Sequence, residues 1–264
     1  MQTDTVRLLS YGGNGEDVVL CRGFYGAPPD YFVDVGAAHP VWGSVSRNLI
    51  MELGWTGLHV EPHPIQAERL RLAYPDHHVE QAAAGAEHGH ADYFLASGTP
   101  DETSTDPTAG LSTMSGAAAS ALRSSGTQLE RRRVETRPLH DMLIDANAPV
   151  GFGLLKVDVE GFEHEVLSGA RLAYWQPKCL VVEATRPNTS TLADGGWRSL
   201  IPGDLYRMVL FDGVNEFFVR RDLPDLAQKI GIPVNSIDNS LSVFWYNRLD
   251  PDVRPGVKLT PWPV

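Results

Sequence analysis

The chain reads Tyr31-Phe32-Val33-Asp34-Val35-Gly36-Ala37 and, later, Gly57-Leu58-His59-Val60-Glu61-Pro62. Each stretch is a short apolar run of β type that stops at an acidic residue, and an amphipathic segment, 41–53, follows the first. Glu61 lies 61 − 36 = 25 residues after Gly36, near the spacing within one βαβ unit. The pattern predicts a parallel α/β sheet that binds a nucleoside. Small residues would let the ligand approach, and the second acid would accept hydrogen bonds from ribose.

The turn after the first run departs from the glycine-rich pattern of dinucleotide sites. It reads Asp34-Val35-Gly36-Ala37-Ala38-His39-Pro40 and has no G-x-G-x-x-G motif, which serves to seat a pyrophosphate. An acid at the start of the turn favours a ligand without phosphate and with some positive charge. S-adenosylmethionine has both properties, whereas a nicotinamide cofactor, and hence a dehydrogenase, fits less well.

Composition restricts the class of protein. The chain has 264 residues, 42% hydrophobic and 21% charged, which is ordinary for a globular protein with a core. A net charge of −11 argues against nucleic acid as a partner, and the basic cluster formed by 131–133 and Arg137 reads as a solvated face or a substrate loop. Cys21 and Cys179 follow no metal-ligand spacing and are expected to be buried thiols.

Targeting signals are not apparent in the sequence. The start, 1–4, lacks a basic region followed by an apolar one, and no apolar run reaches membrane-spanning length. We therefore expect no membrane partner and a cytoplasmic location.

Hydrophobic periodicity predicts the order of elements. Expected strands are 31–35, 56–61, 78–84, 91–96, 154–160, 178–184, 206–211 and 215–220; expected helices are 64–73, 116–123, 161–170 and 192–200. We predict three parts: an N-terminal lead and cofactor lid over 1–30, a domain over 31–220, and a C-terminal extension over 221–264. The last residues of this extension, with several prolines, are expected to form an irregular tail. The segment 97–130, rich in small and polar residues, is predicted to be a long substrate loop.

Acidic residues gather where one predicted strand ends. Asp158 and Glu160 would share a face of that strand, and Glu183 ends the next one. Because ligands bind at the carboxyl ends of strands in such sheets, this group could accept a proton, bind a cation or hold a substrate.

The helix after that strand adds Glu163, His164 and Glu165. His164 is the foremost candidate for a general base, with His39 as another, because histidine titrates near neutral pH. The alternative is that the glutamates only favour the helix N-terminus. In the predicted hairpin, Asp212 or Asn215 could line the mouth of a substrate site.

Motifs along the chain, taken together, resemble the FkbM family of S-adenosylmethionine-dependent methyltransferases. They are Ser10–Asp17, Val33–Ala37, Gly54–Gly57, Val60–Pro62, Gly110–Thr113, Leu155–Gly161 and Phe211–Asn215, in order over roughly 8–220. The resemblance implies a class I Rossmann-like fold: a mostly parallel seven-stranded sheet with an antiparallel last strand and helices on both faces. It also implies O-methylation of a sugar or another natural-product hydroxyl, with a glycosylated small molecule as the expected acceptor.

The resemblance also implies roles for individual residues. The cofactor would be held by Ser10, Tyr11, Glu16, Asp34, Gly36, Ala37, Glu61, Pro62, Gln81 and Ala82. It places Asp158, Glu160 and Glu163 at the active site. Together with the reading of the residues above, catalysis is expected of Asp158, Glu160 and His164, and substrate contacts of Glu163, Thr113, Asp212 and Asn215. The family commonly has Asn at the position of Ala38, so a side-chain contact there is absent.

Several alternatives stay open. Asp158, Glu160 and Glu183 could ligate Mg²⁺, or His164 could act without a metal. The acceptor could be an amine, or the chain could bind a nucleoside without catalysis. A homo-oligomer is compatible with the sequence.

Overall fold

The structure is a computed structural model that describes residues 5–6, 8–96, 112–186, 189, 191–193, 196–246 and 258–259. Its strands are β1 (Thr5–Val6), β2 (Leu8–Ser10), β3 (Tyr31–Val35), β4 (Thr56–Val60), β5 (His78–Glu80), β6 (Ala83–Gly85), β7 (Gly89–Ala96), β8 (Leu129–Pro138), β9 (Leu154–Val157), β10 (Cys179–Glu183), β11 (Tyr206–Phe211), β12 (Asn215–Arg220), β13 (Ser240–Ser242) and β14 (Lys258–Leu259). Its α-helices are α1 (Glu16–Phe24), α2 (Ser46–Leu53), α3 (Pro64–Ala73), α4 (Gly116–Ser124), α5 (Leu139–Asp145), α6 (Glu163–Ser168), α7 (Leu172–Trp175), α8 (Pro224–Ile230) and α9 (Val243–Tyr246), with 3-10 turns at Trp197–Leu200 and Ser236–Asp238.

A seven-stranded mixed sheet forms the centre of the molecule, in the order β11-β12-β10-β9-β3-β4-β5. The strands from β10 to β5 run parallel, and β12 is antiparallel to both of its neighbours. The predicted α/β class is confirmed. Because the central strands are parallel, the carboxyl ends of β3, β4, β9 and β10 meet at one edge.

Alternating residues of the central strands build a core on each face of the sheet. Phe32, Leu154 and Val181 pack with α1, α2 and α8 on one face. Val33 and Leu155, with their neighbours, pack with α5 and α6 on the other. Both faces are therefore covered by helices, as the near-continuous apolar strands require. None of the helices in the described part of the chain has both the length and the apolar character needed to cross a bilayer.

The predicted strand 78–84 is wrong, because it divides into two strands of different sheets. β5 extends the main sheet, whereas β6 pairs with β8 in a three-stranded sheet that also contains β7. The predicted strand 91–96 belongs to β7 and hence to this smaller sheet. β8 was not predicted, because its central residues, 131–133, are exposed arginines that mask the alternation of a strand.

Two other predicted elements also need correction. The strand predicted over 154–160 ends at Val157, because Glu160 adopts a positive φ of 55° that an extended strand does not allow. The helix predicted over 192–200 is, in its described residues, only the 3-10 turn at its end.

The predicted C-terminal extension contains regular structure, whereas most of the last, proline-containing residues lie outside the described part of the chain. It forms α8, and β13 pairs in parallel with β2. Of the predicted substrate loop 97–130, residues 97–111, with Gly110 and Leu111, lie outside the described residues, and 112–130 contain α4 and the start of β8.

Candidate functional site

A cavity of about 380 Å³ lies at the carboxyl ends of β3, β4 and β9. Gly36 after β3, Glu61 after β4 and Asp158 after β9 all line it. The volume is within the range of small-molecule sites, roughly 300–1,000 Å³. The edge predicted to bind a ligand therefore carries a preformed cavity.

Gly36 allows the first turn to cross directly over the end of β9. Its φ is +77°, and a Cβ at this position would lie 1.8 Å from the carbonyl oxygen of Asp158. Two residues later, Ala38 also has a positive φ, 49°, and its N–H donates to Glu61 Oε2 at 2.8 Å. Asn adopts this conformation more readily than Ala, so Ala38 is held in it by the surrounding turn.

Asp34 is buried and is bonded to protein groups rather than exposed to the cavity. Its Oδ2 accepts from Ser46 Oγ at 2.7 Å, and its Oδ1 lies 3.2 Å from Lys156 Nζ. Lys156 lines the cavity and also donates to the carbonyl oxygen of Gly36 at 2.9 Å. Burial acts to lower the pKa of Lys156, but the carboxylates of Asp34 and Asp158 outweigh burial and raise it.

Sequence reasoning gave Lys156 no role of its own. The available signal was a single cation inside the apolar run 154–157. A lysine in a buried strand needs a carboxylate partner, and Asp34, its register partner on β3, supplies one. Asp34, predicted to contact the cofactor, would thus contribute to its binding indirectly, by holding Lys156 in place.

Glu61 forms one wall of the cavity. Its Oε1 accepts from the N–H of His63 at 2.7 Å, and its Oε2 accepts from Ala38. Burial raises the pKa of Glu61 to about 7, although these backbone hydrogen bonds oppose the rise. Each oxygen retains a lone pair that can accept from a ligand hydroxyl.

Of the other residues predicted to contact the cofactor, some line the cavity and some do not. Pro62 lines the cavity, whereas Ala37, Gln81 and Ala82 do not, although 83–84 do. Gln81 Oε1 instead accepts from Arg71 at 3.2 Å.

Glu16 brings the N-terminal segment to the cavity. It lines the cavity, its Oε1 accepts from Asn215 Nδ2 at 2.8 Å, and its Oε2 accepts from the N–H of Asn14 at 2.9 Å. Burial raises the pKa of Glu16 to about 7. Asn215 lines the cavity too, whereas Asp212 does not and accepts backbone N–H groups within its own turn.

Ser10 and Tyr11 lie outside the cavity wall. Ser10 Oγ donates to Asp17 Oδ1 at 2.7 Å, and the N–H of Tyr11 donates to Asp17 Oδ2 at 2.7 Å. Asn48 of α2 donates to the same oxygen at 2.7 Å. The buried Asp17 carboxylate therefore anchors the segment, and Ser10 and Tyr11 support the site from behind it.

Asp158, Glu160 and Glu183 converge, as their strand-end positions predicted. One carboxylate oxygen from each lies within 4.8 Å of the others. Within the described part of the chain, no donor reaches Oε2 of Glu160 or Oε2 of Glu183. Burial, and then the charges of Asp158 and Glu160, raise the pKa of Glu183 to about 11. Such a group is stable only with protons or a cation among the carboxylates.

The remaining predicted substrate and base residues surround this cluster without lining the cavity. Glu163 Oε1 accepts from the N–H of Gly161 at 3.0 Å, and Thr113 Oγ1 donates to the carbonyl oxygen of Glu160 at 2.6 Å. Both contacts fix the turn after β9. His164 is exposed on α6. The base role of His164 stays a prediction that the cavity geometry does not support.

His39, His63 and Gln66 line the cavity beside Glu61, and only His39 had been considered from the sequence. The signal for the other two was their place directly after the second acid, in Glu61-Pro62-His63-Pro64-Ile65-Gln66. This position does not by itself indicate a ligand contact, because a polar residue before Pro64 is also typical of a helix N-cap.

Comparison with family models identifies one family. A family model described as the methyltransferase FkbM domain matches residues 34–221, more than half of the chain. A crystal structure of methyltransferase FkbM from Methylobacillus flagellatus KT is similar over 72% of this chain and 43% of that chain, with 18% identity and a TM-score of 0.44. This chain thus spans less than half the length of that protein. No curated protein matches the chain.

Proposed function

This chain belongs to the FkbM methyltransferase family, and from that premise we propose that it transfers a methyl group from S-adenosylmethionine to a hydroxyl group of a small molecule. The proposed acceptor is a sugar or a glycosylated natural product. The observation that carries the proposal is the cavity of about 380 Å³, with Gly36 at its base and Glu61 and Asp158 on its walls. The strand order, with β12 alone reversed in the main sheet, supports a class I Rossmann-like arrangement.

The residues that line the cavity suit a positively charged nucleoside. Glu61 would accept from ribose hydroxyls, and Glu16 and Asn14 would lie at the methionine end. Lys156, neutralised by Asp34, would hold the turn at Gly36. S-adenosylmethionine supplies an activated methyl group as a sulfonium. The chain's main contribution would be alignment of acceptor, methyl group and leaving sulfur.

A neutral hydroxyl is a weak nucleophile, so the acceptor needs a base or a cation. The three converging carboxylates fit Mg²⁺, because hard oxygen ligands suit that ion and two of their oxygens have no donor in the described structure. We therefore assign Asp158, Glu160 and Glu183 to a divalent cation. When bound, the cation would lower the pKa of the acceptor hydroxyl.

The cluster favours a hydroxyl acceptor over an amine. A deprotonated amine is nucleophilic enough to be methylated without a cation, so a cation site at these three carboxylates would not be needed for its methylation. A non-catalytic nucleoside binder would likewise gain nothing from them. Homo-oligomer formation and a cytoplasmic location stay predictions.

Titration calorimetry with S-adenosylmethionine tests the cofactor site. We expect micromolar binding by the wild type and roughly tenfold weaker binding by Glu61→Gln, which replaces a charged acceptor by a neutral amide. Glu87→Gln, an exposed position outside the cavity, is the matched control. Absence of binding to the wild type would contradict the proposal.

Magnesium dependence tests the carboxylate cluster. We expect Mg²⁺ to bind the wild type, to bind Glu183→Gln more weakly, and to be required when glycosylated metabolites are screened as acceptors. Methyl transfer that persists in chelator and in Glu183→Gln would contradict the cation role. Loss of that activity in His164→Gln would then indicate His164 as the base, whereas its persistence would indicate an amine acceptor.

A further inference from the structure

The ammonium group of Lys156 lies between two carboxylates on neighbouring strand ends. Its Nζ is 3.2 Å from Asp34 Oδ1 and 3.5 Å from Asp158 Oδ2. It also donates to the carbonyl oxygen of Gly36 at 2.9 Å. The Lys156 side chain is 6% exposed, so these three oxygens rather than water surround its charge. Lys156 therefore connects the turn after β3 with the acid after β9.

Asp158 belongs both to this ion pair and to the carboxylate cluster. One of its oxygens lies within 4.8 Å of an oxygen of Glu160 and of Glu183. Among the described residues, the contact with Lys156 is the only ion pair that these three carboxylates form. The Asp158 side chain is 38% exposed and lines the cavity, so a cation in the cavity can reach it. The ammonium group and such a cation would thus share one carboxylate.

Asp34 keeps the ammonium group beside Asp158. Asp34 is buried, and no hydrogen-bond donor of the described residues reaches its Oδ1, so the charge of Lys156 compensates that oxygen. Asp34 and Lys156 are also register partners on β3 and β9, which fixes their separation through the sheet. The ammonium group is therefore held in the wall whether or not a cation is present.

A fixed positive charge at this distance affects the cluster in two ways. Without a divalent cation, it offsets part of the repulsion among carboxylates that are held close together. When a divalent cation approaches Asp158, the ammonium group repels it, because charges a few ångströms apart interact strongly in a buried wall.

We propose that Lys156 is a resident counter-cation of the carboxylate cluster, which holds Asp158 in place and lowers the affinity of the cluster for a divalent cation. This inference rests on the proposed function, because the cation is the one assigned there to Asp158, Glu160 and Glu183. Lys156 acts through Asp158 and is a positioning residue. Through the carbonyl oxygen of Gly36, the same ammonium group supports the turn of the methyl-donor site.

A charge-balanced double variant tests the competition. Lys156→Met combined with Asp34→Asn removes both charges of the buried pair, so the net charge is unchanged and the amide can still bond to Ser46. We expect this variant to bind Mn²⁺ roughly tenfold more tightly than the wild type, because Asp158 loses its ammonium partner. Mn²⁺ takes the octahedral oxygen coordination that Mg²⁺ takes, and its free concentration is measured by electron paramagnetic resonance.

Binding of S-adenosylhomocysteine supplies a second measurement with the opposite sign. By calorimetry, the double variant is expected to bind it roughly tenfold more weakly, because the carbonyl oxygen of Gly36 loses its donor. General damage to the fold would weaken the binding of both ligands. Asp34→Asn alone should weaken Mn²⁺ binding, since the ammonium group is then opposed by Asp158 alone.

A second buried-strand pair provides the matched control. Lys178 and Asp30 form an ion pair of 2.6 Å just before β10 and β3, at the opposite edge of the main sheet. Lys178→Met combined with Asp30→Asn makes the same change of charge there and should leave the binding of Mn²⁺ and of S-adenosylhomocysteine unchanged.

The outcomes distinguish this inference from the proposed function. If the double variant binds Mn²⁺ no more tightly than the wild type, the role given to Lys156 is wrong, whereas the methyl-donor site stands if the wild type binds S-adenosylhomocysteine. If Mn²⁺ binds the double variant but not the wild type, the inference is supported and the cation assigned to the wild type is wrong. If the wild type does not bind S-adenosylhomocysteine, the proposed function fails, and the Mn²⁺ measurement still decides the role of Lys156.

Discussion

Gly36 is the residue at which sequence and cavity depend most directly on each other. Its positive φ and its approach to the Asp158 carbonyl oxygen both exclude a side chain. Without that approach, the turn after β3 would move away from the end of β9, and the cavity between them would change shape. The glycine is therefore required for two separate reasons, its backbone conformation and its close approach to Asp158.

Gly36→Ala is predicted to lower the free energy of unfolding by about 2–5 kcal/mol, because a positive φ costs about 1–2 kcal/mol and overpacking adds a further 1–3. Binding of S-adenosylmethionine should be lost as well. Urea denaturation and calorimetry measure the two effects.

Gly43→Ala is the matched control for this substitution. Gly43 also lines the cavity and has a positive φ, 72°, but no atom of the described residues lies within 4 Å of a Cβ built there. It should lose only the conformational part, about 1–2 kcal/mol. Equal losses in the two variants would show that the close approach to Asp158 is not decisive.

At the scale of elements, stacked aromatic rings pack β4 against the segment that connects α3 to β5. His59 of β4 is fully buried and stacks on Tyr74 and His77, with ring centroids 5.3 and 5.5 Å away. His59 Nε2 and His77 Nδ1 are 3.3 Å apart, so one nitrogen donates to the other. Burial lowers the pKa of His59 to about 4 and also lowers that of His77.

The depressed pKa of His59 predicts a loss of stability in acid. The unfolded chain binds a proton at His59 near pH 6.5, whereas the folded chain does so only near pH 4. The stabilisation is therefore complete above pH 6.5 and disappears as the pH falls toward 4. We expect the wild type to lose about 2 kcal/mol more than His59→Phe between pH 7 and 4.5, by urea denaturation.

Glu16 and Glu61 change the free energy of unfolding with pH in the opposite direction to His59. Their contribution is the same in the wild type and in His59→Phe, so it cancels when the two proteins are compared over one pH range. Their raised pKa values stabilise the fold below pH 4.5 and cease to do so as the pH rises through about 7. His90→Gln should keep the wild-type pH dependence. Identical pH dependence in His59→Phe and the wild type would contradict the assignment.

At the scale of the whole molecule, the two ends of the described chain come together beside the cavity. β13 pairs with β2, and β14 pairs with β1. Phe244 of α9 contacts Trp42, with ring centroids 5.5 Å apart, and Trp42 lines the cavity. The C-terminal extension thus covers part of the cavity wall.

Ending the chain after Asn239 is predicted to lower the free energy of unfolding by about 2 kcal/mol, since the buried Val243 and the pairing of β13 are lost. The urea m-value should change little, because the main sheet remains intact. A chain ending after Tyr246 keeps β13 and α9 and isolates the contribution of β14. If both shortened chains were as stable as the full chain, the extension would not support the cavity wall.

The boundaries that could be predicted from the sequence belong to elements with a regular apolar period. β3, α3, β11 and β12 begin and end as predicted because their patterns are local and uninterrupted. β8 could not be predicted from an apolar period, because an exposed hairpin strand can carry consecutive arginines without loss of pairing. The division of 78–84 between two sheets depended on partners far along the chain, at β4 and β8.

The sequence alone determined the α/β class, the place of the cavity at the strand ends, and the meeting of Asp158, Glu160 and Glu183. Those features follow from apolar periodicity and from the rule that parallel strands end at one edge. Only the tertiary structure decided which polar atoms face the cavity. It paired Asp34 with Lys156, left His164 exposed, and brought His39, His63 and Gln66 to the cavity wall. Side-chain direction depends on partners distant in sequence, and no local pattern records them.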